Sequence, residues 1–252
     1  MMGKRPPETP GEVAQPLFAT THWSVVVAAA NGETPEAAAA LQRLCSTYWY
    51  SLYVYVRRRG YGPEDAQDLT QEFFALFLRK EYFRLADRAR GRFRTFLLHA
   101  LEHFLINEWK RAQCAKRGGG TTPFSLDAAA AEQRYASEPG TTLTPERAYE
   151  KRWATTLLDR VLASLKQEYA DAGNRRVFAE LADLLWGKDG SASFAEIGAR
   201  LDLTEGAARG AMHRLRTRYR ERLRHEVAQT VAEPGEVDEE LRYLISVVSQ
   251  GD

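Results

Sequence analysis

At 252 residues the chain allows one or two domains, each able to bury a core of its own. Hydrophobic content of 44% with 27% charged residues is ordinary for a water-soluble protein, and the two cysteines, Cys45 and Cys114, lack the spacing of a zinc ribbon or a disulfide framework. A net charge of +1 hides a segregation, because residues 84–117 and 200–224 are strongly basic whereas 226–252 are mostly acidic.

Residues 1–16, rich in Pro and charge, read as a disordered tail, and 17–117 as a first helical domain. The opening residues have no apolar h-region and no run approaches a membrane span, so a cytoplasmic protein without a membrane partner is expected. Phe18–Ala30 reads as a first helix. Thr34-Pro35-Glu36 starts the next, capped by Thr34 and running through Arg59 with Leu41, Leu44, Tyr48, Leu52, Tyr55 and Val56 on one side. Gly60-Tyr61-Gly62 breaks it.

Pro63 tolerates the first turn of the following helix, and Glu64 and Asp65 suit its N-terminus. Ala66, Leu69, Phe73, Leu76 and Phe77 form its core stripe. The other side carries Asp68, Gln71 and Glu72, continued by Phe74 and Leu78. Periodicity alone leaves two readings open: a core helix, or a helix that offers carboxylates and aromatics to a basic partner.

Arg92–Arg111 reads as a long helix with Phe93, Phe96, Leu97, Ala100, Leu101, Phe104 and Leu105 inward. Arg92 and Arg94 flank one end; Asn107, Trp109, Lys110, Arg111, Lys116 and Arg117 crowd the other. Cations interleaved with an aromatic suit a strand with unstacked bases, since phosphates need counter-charge and exposed bases need a stacking surface. A solvated basic helix end favoured by the dipole is the plainer account.

Residues 118–143, rich in Gly, Pro and Ser, read as a flexible linker with a short alanine-rich stretch. A second domain, 144–225, opens at Thr144-Pro145-Glu146 and continues with helical patterns over 147–170 and 175–186. Ser193-Phe194-Ala195-Glu196 is a capping box before Ile197 and Leu201. Asp202-Leu203 makes the turn, and Thr204 caps a helix through about Arg224. Ala208, Ala211 or Met212, Leu215, Tyr219 and Leu223 point inward; Glu205, Arg209, His213, Arg216 and Arg220 point outward, with Arg214 beside them. Two capped helices at a three-residue turn, with Arg and His outward on the second, describe a helix-turn-helix. Residues 226–252 form an extension. Asp238 is its expected N-cap, and Leu241, Leu244, Ile245 and Val248 form an apolar stripe expected to fold back over the DNA-reading domain or to complete its core.

Three blocks now carry a resemblance. Asp68-Leu69-Thr70-Gln71-Glu72-Phe73 resembles the polymerase-docking segment in region two of the sigma-70 family, specifically the small extracytoplasmic-function (ECF) sigma factors. The Arg92–Arg111 helix corresponds to the part that melts and reads the −10 promoter element, and the helix-turn-helix resembles region four, the −35 reader. The likeness spans about Phe18 to Arg224. It departs from the pattern at Asp202, where family members usually carry Gly, and at Gly206 and Gly210 inside the recognition helix.

The resemblance implies an all-α protein with two helical domains, a region-two bundle and a region-four helix-turn-helix, joined by the linker. It implies a non-enzyme without cofactor, metal or catalytic residue, whose partners are core RNA polymerase and promoter DNA. An anti-sigma factor or another regulator is a further partner it leaves room for. Core polymerase would meet Asp68, Gln71, Glu72 and Phe74. The −10 element would meet Arg92, Arg94, Asn107, Trp109, Lys110 and Arg111; the −35 element Thr204, Glu205, Arg209, His213, Arg214, Arg216 and Arg220.

Two rivals come from other classes. His99-Ala100-Leu101-Glu102-His103 fits the H-x-x-E-H pattern of a zinc hydrolase, with no third ligand at a suggestive spacing nearby. A stand-alone helix-turn-helix regulator would explain the C-terminal half and leave the two earlier helices without a task. Gly118-Gly119-Gly120-Thr121 lacks the Lys-Ser/Thr of a P-loop.

Overall fold

Proline opens three of the described α-helices, at the first position, where its missing N–H is no loss. Pro35 opens α1 (Pro35–Arg58), Pro63 opens α2 (Pro63–Leu78) and Pro145 opens α5 (Pro145–Asp171). Between them lie α3 (Phe93–Cys114) and α4 (Ala128–Ala136). After α5 come α6 (Arg175–Ala182) with a 3-10 turn at Asp183–Trp186, α7 (Phe194–Leu201), α8 (Glu205–Ala228), a second 3-10 turn at Pro234–Glu236, and α9 (Val237–Ser249). The computed structural model describes residues 35–78, 92–114, 128–136, 143–186, 192–231 and 233–249, and no strand occurs among them. The fold is all-α. The expected tail and first helix, most of the expected linker, and the side chains of Leu41 and Leu44 lie outside what is described.

α1 is the axis. From Cys45 to Val56 every residue except Ser46 is buried, the signature of a helix covered on all sides. Phe73 and Phe77 of α2 lie between it and α3, with ring centroids 5.8 Å from Phe104 and 6.5 Å from Phe93. On another flank α5 packs along α1, where Trp153 stacks on Tyr48 at 6.1 Å. α4, inside the segment expected as linker, also docks on α1: Arg57 holds Glu132 at 2.9 Å, and Arg134 lies over the Tyr50 ring at 4.4 Å. The buried apolar side chains of both expected domains therefore form one contiguous cluster. Within it, burial pushes the Cys45 thiol up to about 12, which leaves it inert.

The second half is positioned by caps. The Thr144 hydroxyl accepts from the Arg147 N–H at 3.3 Å. Ser193 and Glu196 close a capping box, the Ser193 N–H reaching the Glu196 carboxylate at 2.7 Å. Asp202 takes φ 56°, ψ 38°, the left-handed conformation that Asp tolerates better than most residues. The turn is tight enough that a Cβ on Gly198 would stand 2.7 Å from the Leu203 carbonyl oxygen. Thr204 caps α8 through the Ala207 N–H at 3.2 Å. α8 is then fastened to α5 by Arg222, which grips Glu168 at 2.6 Å and Ser164 at 3.0 Å.

Candidate polymerase and nucleic-acid interface

The acidic side of α2 is narrower than the sequence suggests. Asp68 and Glu72 are exposed, and Asp65 shares their side at i, i+3, i+7 spacing. Gln71 and Phe74, expected on the same free face, are buried at 7% and 1% exposure. Phe74 packs against Trp49 of α1, with ring centroids 6.4 Å apart, because α1 covers α2 along more than one stripe. Those two residues belong to the core.

The six residues expected along α3 divide by end. Asn107, Trp109, Lys110 and Arg111 all project from its C-terminal part, Trp109 at 57% exposure. Arg111 holds Glu108 at 2.6 Å. Trp109 and Lys110 line a cavity of about 350 Å³ together with Leu105, Ile106, Arg59 and Tyr61. Arg59 and Tyr61 were missed from sequence, where the Gly60-Tyr61-Gly62 segment reads as nothing more than a helix break. A basic residue and an aromatic beside that break were the available signal.

Arg92 and Arg94 lie at the opposite end, roughly 25 Å away along the helix axis. Arg94 is 2% exposed and paired with the fully buried Glu240 of α9. Its guanidinium lies 4.9 Å from the Trp153 ring and 5.0 Å from that of Tyr243, and its carbonyl accepts from the Tyr149 hydroxyl at 3.0 Å. Burial, followed by the neighbouring Arg92 charge, lowers its pKa from the usual guanidinium range. Arg92 reaches Glu240 at 2.6 Å and Glu239 at 3.4 Å. The expectation that Arg92 and Arg94 meet the −10 element with the other four is corrected: Arg94 is inaccessible, and Arg92 is engaged by α9.

The expected face of α8 holds together with one exception. Thr204, Glu205, Arg209, His213, Arg216 and Arg220 are exposed. Glu205 holds Arg209 at 3.2 Å, and the Arg209 guanidinium lies 5.4 Å over the Phe194 ring, which presets its direction at the front of the helix. Arg216 donates to the Leu184 carbonyl at 3.3 Å. Arg214 turns the other way, into a cavity of about 380 Å³ with Glu168, Tyr169, Leu203 and Arg218. Gly206 has open space around its Cβ position.

The extension packs on α5 and α8 through three of its four stripe residues, Leu244 buried and Leu241 and Val248 half-buried against the core. Val237, Glu240, Leu244 and Val247 are the buried residues, whereas Ile245 is 60% exposed. Asp238 pairs with Arg224 instead of capping, and that ion pair lowers the Asp238 pKa. His99 and His103 are exposed, and Glu102 accepts from Tyr55 at 2.9 Å. Among the described residues no three His, Cys, Asp or Glu side chains converge as metal ligands, and no helix is long and apolar enough to cross a membrane.

The ECF RNA polymerase sigma factor SigF of Caulobacter vibrioides is 30% identical to this chain over 174 residues, which cover 68% of this chain and 77% of that protein. No family model matches the chain, and no solved structure matches it.

Proposed function

Because the chain belongs to the ECF family of RNA polymerase sigma factors, we propose that it is itself a bacterial sigma factor, which recruits core RNA polymerase to promoters and helps to open them. It acts by binding rather than by catalysis. Core polymerase meets the exposed carboxylates of Asp65, Asp68 and Glu72 on α2, where basic groups of a partner would form charge-assisted contacts. The −10 element lies along the C-terminal end of α3, with Lys110, Arg111 and Arg59 countering phosphates and Trp109 receiving an unstacked base. The −35 element lies in α8's reach. Arg209 and His213 stand near the front, where base edges are met, and Arg216 and Arg220 farther back, against phosphates.

The observation that carries this reading is Trp109, more than half exposed in a cationic notch on a different helix from the helix-turn-helix. A regulator confined to duplex DNA has no use for a stacking platform, whereas a protein that holds melted promoter DNA does. Run-off transcription with purified core polymerase on genomic DNA, with the transcript starts sequenced, is the test. Starts that share two spaced elements are expected, together with weak or no specific gel shift by the free protein. Tight binding to a palindrome without polymerase, and no starts, would favour the stand-alone regulator instead.

A further inference from the structure

α9 ties the beginning of α3 to the end of α8. Glu240 sits on its buried face at 0% exposure, and both of its cationic neighbours come from the start of α3, Arg94 and Arg92, the latter at 2.6 Å. Arg92 also reaches Glu239 at 3.4 Å and lies 5.3 Å over the Tyr243 ring. The Tyr243 hydroxyl donates to Glu150 of α5. Next to the arginines, the Phe93 N–H donates to the Thr230 carbonyl, just beyond α8, at 3.2 Å. Arg224 of α8 holds Asp238 on the outer side. A buried ion pair adds little net stability, since desolvation offsets most of its attraction, yet it is strongly conditional: removing one partner strands the other. That is the behaviour of a catch rather than of a filler.

The same contacts limit how far the two reading helices can stand apart. Trp109 is 16 residues past Phe93 and Arg209 is 21 residues before Thr230, about 24 Å and about 32 Å of helix. While the Phe93–Thr230 hydrogen bond stands, their backbones are at most about 60 Å apart, and only if α3 and α8 ran straight away from each other. Two elements separated by two turns of B-DNA lie about 70 Å apart.

We propose that α9 is an autoinhibitory latch: Glu240 holds the chain closed through Arg92 and Arg94, and α9 must leave the start of α3 before both reading helices can engage one promoter. The functional half of this inference rests on the sigma-factor reading above. The latch itself does not.

Glu240→Gln in the full chain keeps the shape of the side chain and removes the charge. Small-angle scattering should then show an expanded particle, circular dichroism should keep its helical signal, and run-off transcription with core polymerase should rise on the order of tenfold as the competent fraction grows. A second variant guards against simple loss of folding. Arg92→Cys and Glu239→Cys, placed in a Glu240→Gln, Cys114→Ser chain and joined by a short cleavable bis-maleimide, should restore the compact particle, and cleavage should release it again. A helical Glu240→Gln chain that neither expands nor gains activity overturns the proposal. So does a crosslinked chain as expanded as the cleaved one. Expansion on Glu240→Gln, reversed by the crosslink, with no transcription from any form would leave the latch standing and sink the sigma-factor reading.

Discussion

The two ends of α3 begin alike and finish differently. Each offers cationic side chains near aromatic residues, Arg92 and Arg94 at one end, Lys110 and Arg111 around Trp109 at the other. At the C-terminal end Trp109 and Lys110 face water and border an open cavity; at the N-terminal end Glu240, 146 residues from Arg94, has claimed both arginines. Availability to a ligand is thus decided by which distant element arrives, and a basic-aromatic pattern does not say whether its charge is already spoken for.

Mutating both ends should separate them most sharply. Arg94→Ala leaves the buried Glu240 with Arg92 alone and should cost up to about 3–5 kcal/mol in urea unfolding. Arg111→Ala, whose pair with Glu108 is mostly exposed, should cost under about 1 kcal/mol and act on promoter opening instead. Replacing the pair together, Arg94→Met with Glu240→Leu, should recover most of the lost stability, because two apolar groups need no partners. If Arg94→Ala unfolds no more easily than Arg111→Ala, the contrast between the ends is wrong.

Trp109→Ala probes the open end alone. It should weaken binding of single-stranded −10 DNA in the polymerase complex by about 1–3 kcal/mol, with an unchanged melting temperature for the free protein. A fall in melting temperature as large as the binding loss would instead make Trp109 a packing residue.

An enclosed and an open position also coexist in the helix-turn-helix. Gly198→Ala pushes a methyl onto the Leu203 carbonyl and should destabilise by about 1–3 kcal/mol. Gly206→Ala meets nothing and should stabilise the free protein by about 0.5–1 kcal/mol. Thermal unfolding of the two variants side by side checks the opposite signs. If Gly206→Ala also lowers promoter affinity, the open space at that position is where DNA comes close.

What could be read from the sequence, and what could not, follows the range of the interactions. Thr144, Ser193 with Glu196, and Thr204 cap helices with groups three residues away, and Asp202 makes its turn by its own backbone, so all were legible locally. The sequence also identified the exposed faces of Asp68, Glu72, Arg209 and His213. It misplaced Gln71 and Phe74 because a helical wheel has no means of showing that α1 covers two stripes of α2. It chose Ile245 over Glu240 for the buried face of α9 because a hydrophobic stripe is the usual guide and a buried carboxylate runs against it. The answer to Glu240 was Arg94, which lies far outside any local window.

The weakest expected effect concerns α4. Burial tends to raise the Glu132 carboxyl, but hydrogen bonds from Arg57 and Tyr53, with the Arg57 charge, outweigh it and hold the pKa below the usual carboxylate range. A carboxylate lowered on folding contributes fully above its unfolded value of about 4.3 and loses that contribution as pH falls through the folded one. The docking of α4 should therefore persist at neutral pH and weaken below pH ~4, by under about 1 kcal/mol for so exposed a pair. Hydrogen exchange of the α4 amides at low and neutral pH would register it; equal protection at both would remove Glu132 from the account.

The anchoring of α4 also sets the length of a leash. Uninterrupted, the 26 residues from 118 to 143 could extend to roughly 85 Å. With α4 pinned to α1, Ala136 and Pro145 are nine residue steps apart, which covalent geometry limits to about 31 Å. Even when α5 moves off α1, its first residue, Pro145, stays within that radius of Ala136 until α4 lets go. On the sigma-factor reading proposed above, the Arg57–Glu132 contact is thereby a ruler: while it holds, the start of α5 has only a short travel from the first bundle, and that travel lengthens only when the contact breaks.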